Sequence, residues 1–346
     1  MRLAIIGAGM AGLSAAQRLR ALCPESAIVI FEQEQRVGGR VSTTTQHGAR
    51  FDDGAQYIKA PNAALEALLR AESVDAPPLD IGLPVWTFDA QGTIMPGDAA
   101  QNAAPKWTYR AGLARLAQIL ARELDVRCGV RIGRIARANG SYLLFDEHAT
   151  IVGAADAVLL TPPAPQSAAI IAASALPPQP QQTLLAELGR VGYRPCLSLT
   201  FGLPPLLRAR PWYALVNTDR RHPISWLAYE HLKPGRAEGQ HLLLAQMAAQ
   251  WSREHWQAAD DEIAAQALAL IAALLQEAVP TPRWTALRRW PYALPERGAD
   301  ANRLNQTLPG IFFAGDYTAG QGRVHLAIEQ GWRIAEQIAA FAPAGG

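Results

Sequence analysis

Apolar and polar positions switch between two periods along this chain, and the switches mark the elements. Leu3-Ala4-Ile5-Ile6 is a short continuous apolar run, the pattern of a buried strand. It passes directly into Gly7-Ala8-Gly9-Met10-Ala11-Gly12, after which Leu13, Ala16, Leu19 and Leu22 recur at helical spacing. Ile28-Val29-Ile30-Phe31 predicts a second buried strand. A short helix is expected over Ala63–Ala71. From Gly112 onward, Leu113, Leu116, Ala117, Leu120 and Leu124 share one helical face, with Arg115 and Arg122 off it. Val126–Ile135 reads as strand, as does Ser141–Phe145 behind the turn signal Asn139-Gly140. Ala157–Thr161 is a further buried strand, stopped by Pro162-Pro163-Ala164-Pro165, a candidate domain crossing. PPQPQQ over 177–182 reads as a loop, and Arg190 to Trp290 alternates strand-like pieces with one long helix around Asp260–Ala278. The buried strand Gly310–Ala314 and a helix marked by Ala327, Ile328, Gly331, Ile334 and Ile338 close the pattern.

The first strand–loop–helix junction has a chemical reading. Gly7 permits the tight turn, Gly9 lets backbone approach a pyrophosphate, and Gly12 lets the helix pack close on the strand. The helix N-terminus then directs its N–H groups at phosphate. Glu32 stands at the end of the second strand, twenty residues past Gly12, where a carboxylate accepts hydrogen bonds from a ribose. The alternative is a glycine-rich turn that serves packing alone.

Composition narrows the class. The 346 residues suffice for about two domains. With 32 basic against 30 acidic residues, net charge is +2, and no nucleic-acid footprint is expected. Only Lys59, Lys106 and Lys233 are lysines, a bias that base composition of the genome explains as well as function does. Cys23, Cys128 and Cys196 form neither a metal spacing nor a disulfide framework, so a reducing, cytoplasmic setting is expected and no metal is assigned. No signal peptide is read ahead of the first strand, and no apolar run has membrane-spanning length.

A second junction of the same style lies near the other end. The strand Gly310–Ala314 ends at Gly315-Asp316, and Gly320-Gln321-Gly322-Arg323-Val324 opens the last helix. Two such junctions suit a flavin dinucleotide. A carboxylate, Asp316, would hold ribityl hydroxyls, and the positive helix end near Val324 would face the N1–C2=O edge that becomes anionic on reduction. The two junctions must then meet in space. Between them, Gly38-Gly39-Arg40 allows close approach, and Arg36 and Arg40 can offset phosphate charge; a solvated surface arginine is the alternative for Arg36. In Asp53-Gly54-Ala55-Gln56-Tyr57, Gly54 and Ala55 are small enough to pass under a flat ring. Gln56 can bond flavin or substrate, or serve as a buried structural amide.

At IIGAGMAGLSAA, VGGR, DDGAQYI, TPPAPQ, PISWLAYEHLKPGR, QWSREHW, RRWPYALP and FFAGDYTAGQGRVHLAIEQGW the chain resembles the flavin amine oxidase superfamily, and within it the renalase family, bacterial renalases especially. These segments extend from residue 3 to residue 332. The resemblance implies an α/β fold: a Rossmann-like FAD-binding domain with an inserted α+β substrate domain, the architecture of amine oxidases and p-hydroxybenzoate hydroxylase. The expected pieces are 1–60, 111–166 and 285–346 for FAD, and 61–110 and 167–284 for substrate. The implied activity is oxidation of 1,2- and 1,6-dihydro isomers of NAD(P)H, with molecular oxygen reduced to hydrogen peroxide. Two departures touch the substrate rather than the cofactor: Tyr317 where renalases carry tryptophan, and His325 in a loop closer to the wider superfamily.

A dihydropyridine regains aromaticity on losing hydride to flavin N5, so orientation and stacking suffice and no strong base is needed. Trp290 and Tyr292 are candidates for the wall opposite the flavin, with ordinary strand packing as the alternative. Arg288 or Arg289 can meet a substrate phosphate, with a surface role the alternative for at least one of them. His325 can act as base or donor, or simply cap the helix. Many superfamily amine oxidases keep a lysine linked through water to N5; Lys233 is the one candidate, and its turn-like setting predicts exposure. The catalytic candidates are therefore Trp290, Tyr292, Gln56 and His325. The cofactor set is Gly7, Gly9, Ala11, Gly12, Glu32, Arg36, Gly39, Arg40, Gly54, Ala55, Gln56, Gly315, Asp316, Arg323 and Val324. An oxidase of a small amine or other hydride donor, and an FAD-binding protein without turnover, remain the other readings. A small-molecule substrate is expected, with neither nucleic acid nor membrane as partner, in a monomer or homodimer.

Overall fold

The Gly7–Gly12 turn sits where its pattern places it, at the carboxyl end of a parallel strand and the start of a helix. The computed structural model describes residues 1–71, 77–236, 239 and 241–341. They divide into two compact units. The first comprises Met1–Val41, Leu116–Tyr193 and Leu294–Gly346; the second comprises Ser42–Arg115 and Arg194–Ala293.

The first unit is built on a five-stranded parallel sheet. Its order is Ile311–Phe313, Ala157–Leu160, Arg2–Ile6, Ala27–Glu32, Asp125–Cys128. Strands buried on both faces read as continuous apolar runs, which is why all four buried strands were legible. An antiparallel sheet of Ile132–Ala138, Ser141–Asp146 and Ile151–Ala155 shares a core with it, where Ile135, Tyr142 and Leu144 meet Ile6, Phe31 and Leu160. The single strand expected over Val126–Ile135 is therefore two, broken at Gly129 with φ +74°. The Asn139-Gly140 turn has both residues at positive φ, as a two-residue hairpin requires.

The helices Met10–Leu22 and Val324–Ala339 pack on each other through small residues. A Cβ at Gly331 would lie 2.4 Å from the Ala11 carbonyl oxygen, so only glycine permits this approach. One at Gly12 would lie 2.1 Å from the Gly7 carbonyl.

The second unit holds a seven-stranded sheet in the order Trp284–Pro295, Tyr193–Leu203, His241–Met247, Ile224–Tyr229, Ala214–Asn217, Val85–Phe88, Ile94–Met95. One face buries Leu197, Leu199, Phe201, Leu243 and Ala245 against Ile263, Ala267 and Ile271 of the helix Asp260–Leu275. The other face receives the hairpin Thr44–Gln46 and Ala49–Phe51, with Ala49 and Phe51 packed on Leu242, Trp284 and Ala286.

These contacts explain where the units differ from the expected pieces. Residues 42–60 bury their apolar side chains on the second unit's sheet and belong there. No crossing occurs at Pro162–Pro165, because the helices Ala164–Ala173 and Pro178–Leu188 bury Ile170, Ile171, Leu184 and Leu188 in the first unit's core. The PPQPQQ stretch starts the second of these helices rather than forming a loop, since proline is compatible with a first helical turn, where its missing N–H costs no bond. No helix among the described residues is long and apolar enough to cross a membrane.

Replacing Gly331 by alanine should gain about 1 kcal/mol of helix propensity. Overpacking against the backbone of the first helix should cost about 1–3 kcal/mol. The Cβ clash involves a carbonyl oxygen that cannot swing aside, so the net expectation is a lower melting temperature for Gly331→Ala by calorimetry.

Candidate functional site

In the first unit the loop and both junctions converge. Gly7 adopts φ +98°, and a Cβ there would meet Thr161 Oγ1 at 2.7 Å. Gly9 is the N-cap of the first helix and supplies no side chain to its first N–H groups; a Cβ on Gly9 would meet nothing within 4 Å. That combination is a cradle of unpaired N–H donors at a positive helix end, open on one side, and it fits a pyrophosphate. Ala11 lies in the same first turn, buried. Gly38 bonds the loop through its N–H to the Ala8 carbonyl at 2.9 Å, and Gly39, at φ +55°, is next in the chain.

Glu32 is buried. Its Oε2 accepts from Ala8 N–H at 2.8 Å and its Oε1 from Glu34 N–H at 2.9 Å. Burial pushes its carboxyl up, against the pull of those backbone bonds. Each oxygen keeps a second lone pair, so the carboxylate can still receive ribose hydroxyls.

Arg40 grips Asp316 bidentately, Nη1 to Oδ2 at 2.8 Å and Nη2 to Oδ1 at 2.9 Å, across 276 residues of sequence. With Gly38 bonded to the Ala8 carbonyl, this pair ties the first junction to the second through the segment Gly38-Gly39-Arg40. Asp316 is buried just after Gly315 and opens the short helix Asp316–Ala319. Gly322 lies beside it, and a Cβ there would clash with the Leu294 side chain while making only ordinary contact with Asp316 Oδ2. Arg323 caps the last helix without a side-chain bond to it, its Nη1 donating to the Gly322 carbonyl at 2.9 Å. Arg36 is exposed, and Val324 and His325 are half-buried at the helix start. Tyr317 is fully buried in the first unit's apolar core, and burial raises its phenol. The tryptophan-to-tyrosine departure therefore lies within packing.

The second unit organises the turn Asp52–Gln56. The Asp52 carboxylate has no solvent contact. Its Oδ1 accepts from Thr43 Oγ1 at 2.7 Å and Leu113 N–H at 2.9 Å, and its Oδ2 from Lys233 Nζ at 3.0 Å and from Arg236 Nη2. Glu230 pairs with both cations and accepts from Asp52 N–H at 3.0 Å. Two anions and two cations, all buried, cancel. Burial pushes the Asp52 carboxyl up, yet Lys233 and Arg236, helped by Leu113 and Thr43, hold it below the usual range; for Glu230 burial prevails and its carboxyl is raised.

The three carbonyls that follow are each clamped by a side-chain donor. Gln56 Nε2 donates to the Asp52 oxygen at 2.6 Å and Trp290 Nε1 to the Asp53 oxygen at 2.8 Å. The Gly54 oxygen accepts from Gln246 Nε2 at 2.7 Å and Gln56 Nε2 at 3.1 Å. Gln56 also accepts from Tyr213 Oη at 3.4 Å, so its amide is turned onto its own turn and serves structure. Gly54 and Ala55 stay half-buried. Tyr292 shares the face of Trp290 by strand alternation.

Lys233 is not exposed, as its Pro-Gly turn suggested, but only 2% accessible. The turn folds inward because both its cations have carboxylates to meet. The ion quartet was missed in the sequence, where its trace is Glu230, Lys233 and Arg236 at three-residue spacing. Gln246 and Ser198 were also missed; both lie on strands whose apolar runs dominate the pattern, and they share the face opposite Leu197, Leu199, Leu243 and Ala245. Among the described residues no cluster of three or more His, Cys, Asp or Glu could hold a metal.

Comparison with known proteins identifies the family. Residues 86–339 match the family model of flavin containing amine oxidoreductase, and residues 5–71 that of an NAD(P)-binding Rossmann-like domain. A 4,4'-diapophytoene desaturase of Staphylococcus haemolyticus is 40% identical over 62 residues, which is 18% of this chain and 12% of that protein. An Exiguobacterium sp. 255-15 protein assigned as a protoporphyrinogen oxidase shares the fold, with a TM-score of 0.77 at 17% identity over 98% of each chain. Putrescine oxidase with bound putrescine does so at 0.75 and 15%, over 98% of this chain and 99% of that one.

Two outcomes follow. Asp316→Ala leaves Arg40 without its carboxylate and should weaken FAD retention by about ten-fold or more, read as the visible-to-ultraviolet absorbance ratio after gel filtration. Asp52→Asn leaves two buried cations facing one carboxylate and should cost about 3–5 kcal/mol of unfolding free energy in urea titration.

Proposed function

The chain belongs to the flavin-containing amine oxidoreductase family, and within it we propose that this member oxidises a dihydronicotinamide isomer, 1,2- or 1,6-dihydro-NAD(P). It is an FAD-dependent oxidoreductase of mixed α/β fold. FAD, when bound, would supply the hydride acceptor, with molecular oxygen as the final two-electron acceptor to hydrogen peroxide. The chain's own residues bind and orient. Gly9 and the first helix would hold the pyrophosphate, Glu32 the ribose, and Asp316 with Arg40 the ribityl and phosphate region.

The observation that carries the substrate reading is the character of one face of the second unit's sheet. Around the Asp52–Gln56 turn it presents Trp290, Trp226 and the amide of Gln246, with Tyr57 of the following segment packed on Trp226. Lys233, the lysine considered for amine chemistry, is buried and tied to Asp52 and Glu230 at 3.0 and 2.8 Å. An amine must be neutral to give up hydride, which calls for a proton acceptor or a water held by such a lysine. A dihydropyridine is already neutral in its ring and gains aromaticity on oxidation, so flat aromatic walls and correct orientation suffice.

Anaerobic stopped-flow mixing tests this. Fast bleaching of the yellow protein by dihydronicotinamide isomers, with ordinary NAD(P)⁺ as product, is the expected result. Bleaching by small amines and not by any dihydronicotinamide would replace the proposal with amine oxidation.

A further inference from the structure

Adjacent arginines on the strand Trp284–Pro295 point to opposite faces of the sheet. Arg289 goes to the side of Leu287 and the long helix, and all three of its nitrogens are engaged. Nε donates to the Trp256 carbonyl at 3.2 Å, Nη2 to the Ala258 carbonyl at 3.1 Å, and Nη1 to the Asp260 carboxylate at 2.8 Å. Its role is structural. Arg288 goes to the other face with Trp290, whose indole N–H on Asp53 fixes both beside the Asp52–Gln56 turn. The Arg288 guanidinium lies over the Trp290 ring, Cζ 4.7 Å from the centroid. Among the described residues it meets no carboxylate and no carbonyl, and its Nε is buried without an acceptor.

The same face carries further unmet polar atoms. Ser198, Gln246 and Trp226 form one register row across three neighbouring strands. Trp284 lies against Gly202, which puts the even-numbered residues of its strand on the face of Ser198. Gln246 is committed to Gly54. Ser198 Oγ, on a residue 1% exposed, and Trp226 Nε1 are buried with no partner among the described residues. A face that holds a stacked, half-buried guanidinium with a buried, acceptor-less Nε, and two orphaned polar atoms, is short of a ligand, because such atoms are costly to bury unmet.

We propose that Arg288 is the specificity residue that receives a phosphate of the substrate, so that this face selects a phosphate-bearing ring over a cationic amine. Its planar fork suits two phosphate oxygens, and stacking on Trp290 restrains it in advance. The ring identity rests on the dihydronicotinamide reading; the phosphate rests on Arg288.

The test titrates FAD-loaded protein with nicotinamide mononucleotide, N-methylnicotinamide and inorganic pyrophosphate, following tryptophan fluorescence. In the native protein the mononucleotide should bind at least about ten-fold more tightly than N-methylnicotinamide. Arg288→Gln should reduce that ratio to about two or less and abolish the pyrophosphate response, while Arg288→Lys, which keeps charge without the fork, recovers part of it. An unchanged ratio and an unchanged pyrophosphate response in Arg288→Gln overturn the assignment. A pyrophosphate response lost with Arg288, in a protein that no dihydronicotinamide bleaches, keeps the phosphate site and discards the ring. Bleaching by dihydronicotinamides with no dependence on Arg288 keeps the ring and discards the phosphate site.

Discussion

A carboxylate sealed from water has to be neutralised, and the second unit is arranged around meeting that demand at Asp52. Four donors converge on its two oxygens, two of them cations, and Glu230 balances the remaining charge while holding the Asp52 N–H. Ion pairs of this kind contribute little net stability against an apolar replacement, because desolvation offsets their attraction. What they provide is geometry: a half-broken quartet strands a buried charge, so Asp52 is confined to one position. The carbonyl clamps from Gln56, Trp290 and Gln246 extend that rigidity along the next three peptides. The turn thus gains its definition from a buried ion quartet on one side and from side-chain donors on its carbonyls on the other.

The first unit answers a different demand, which is proximity. Gly12 and Gly331 remove the Cβ atoms that would separate helix from strand and helix from helix. With those approaches made, the N-terminal loop and the C-terminal strand end stand close enough for Arg40 to reach Asp316. This pair also buffers the site. Asp316 is buried beside a helix start, and Arg40 compensates its charge without removing all its lone pairs from use.

Much of this was legible in the sequence where the physics is local. Parallel strands buried on both faces announce themselves as Leu3–Ile6, Ile28–Phe31, Ala157–Leu160 and Ile311–Phe313, and the glycine loop and Glu32 follow from spacing. What was not legible depends on partners distant in sequence. Lys233 read as a surface lysine because Pro234 and Gly235 mark a turn; nothing nearby reveals that Asp52, 181 residues away, draws it inward. The break at Gly129 is invisible in a run whose apolar pattern continues through it. The helix at Pro178 was hidden by its own prolines, which signal loops except in a first turn, where they fit.

The contrast between Arg288 and Arg289 shows how the fold turns neighbouring, identical residues to different ends. Strand alternation alone separates them, one onto carbonyls and Asp260, the other onto an aromatic face. The consequence is electrostatic. A protonated amine held ~6 Å from a guanidinium in a medium of effective dielectric ~20 is opposed by about 3 kcal/mol, enough to weaken its binding about a hundred-fold. A phosphate at the same place is favoured by a similar amount. Hydride transfer from a neutral ring has no use for a charge at the reacting atoms, so a cation standing beside the walls can sort substrates without disturbing the chemistry. On the proposed reading, Arg288 would sort donors by charge, while Lys233, held by Asp52 and Glu230, is already neutralised.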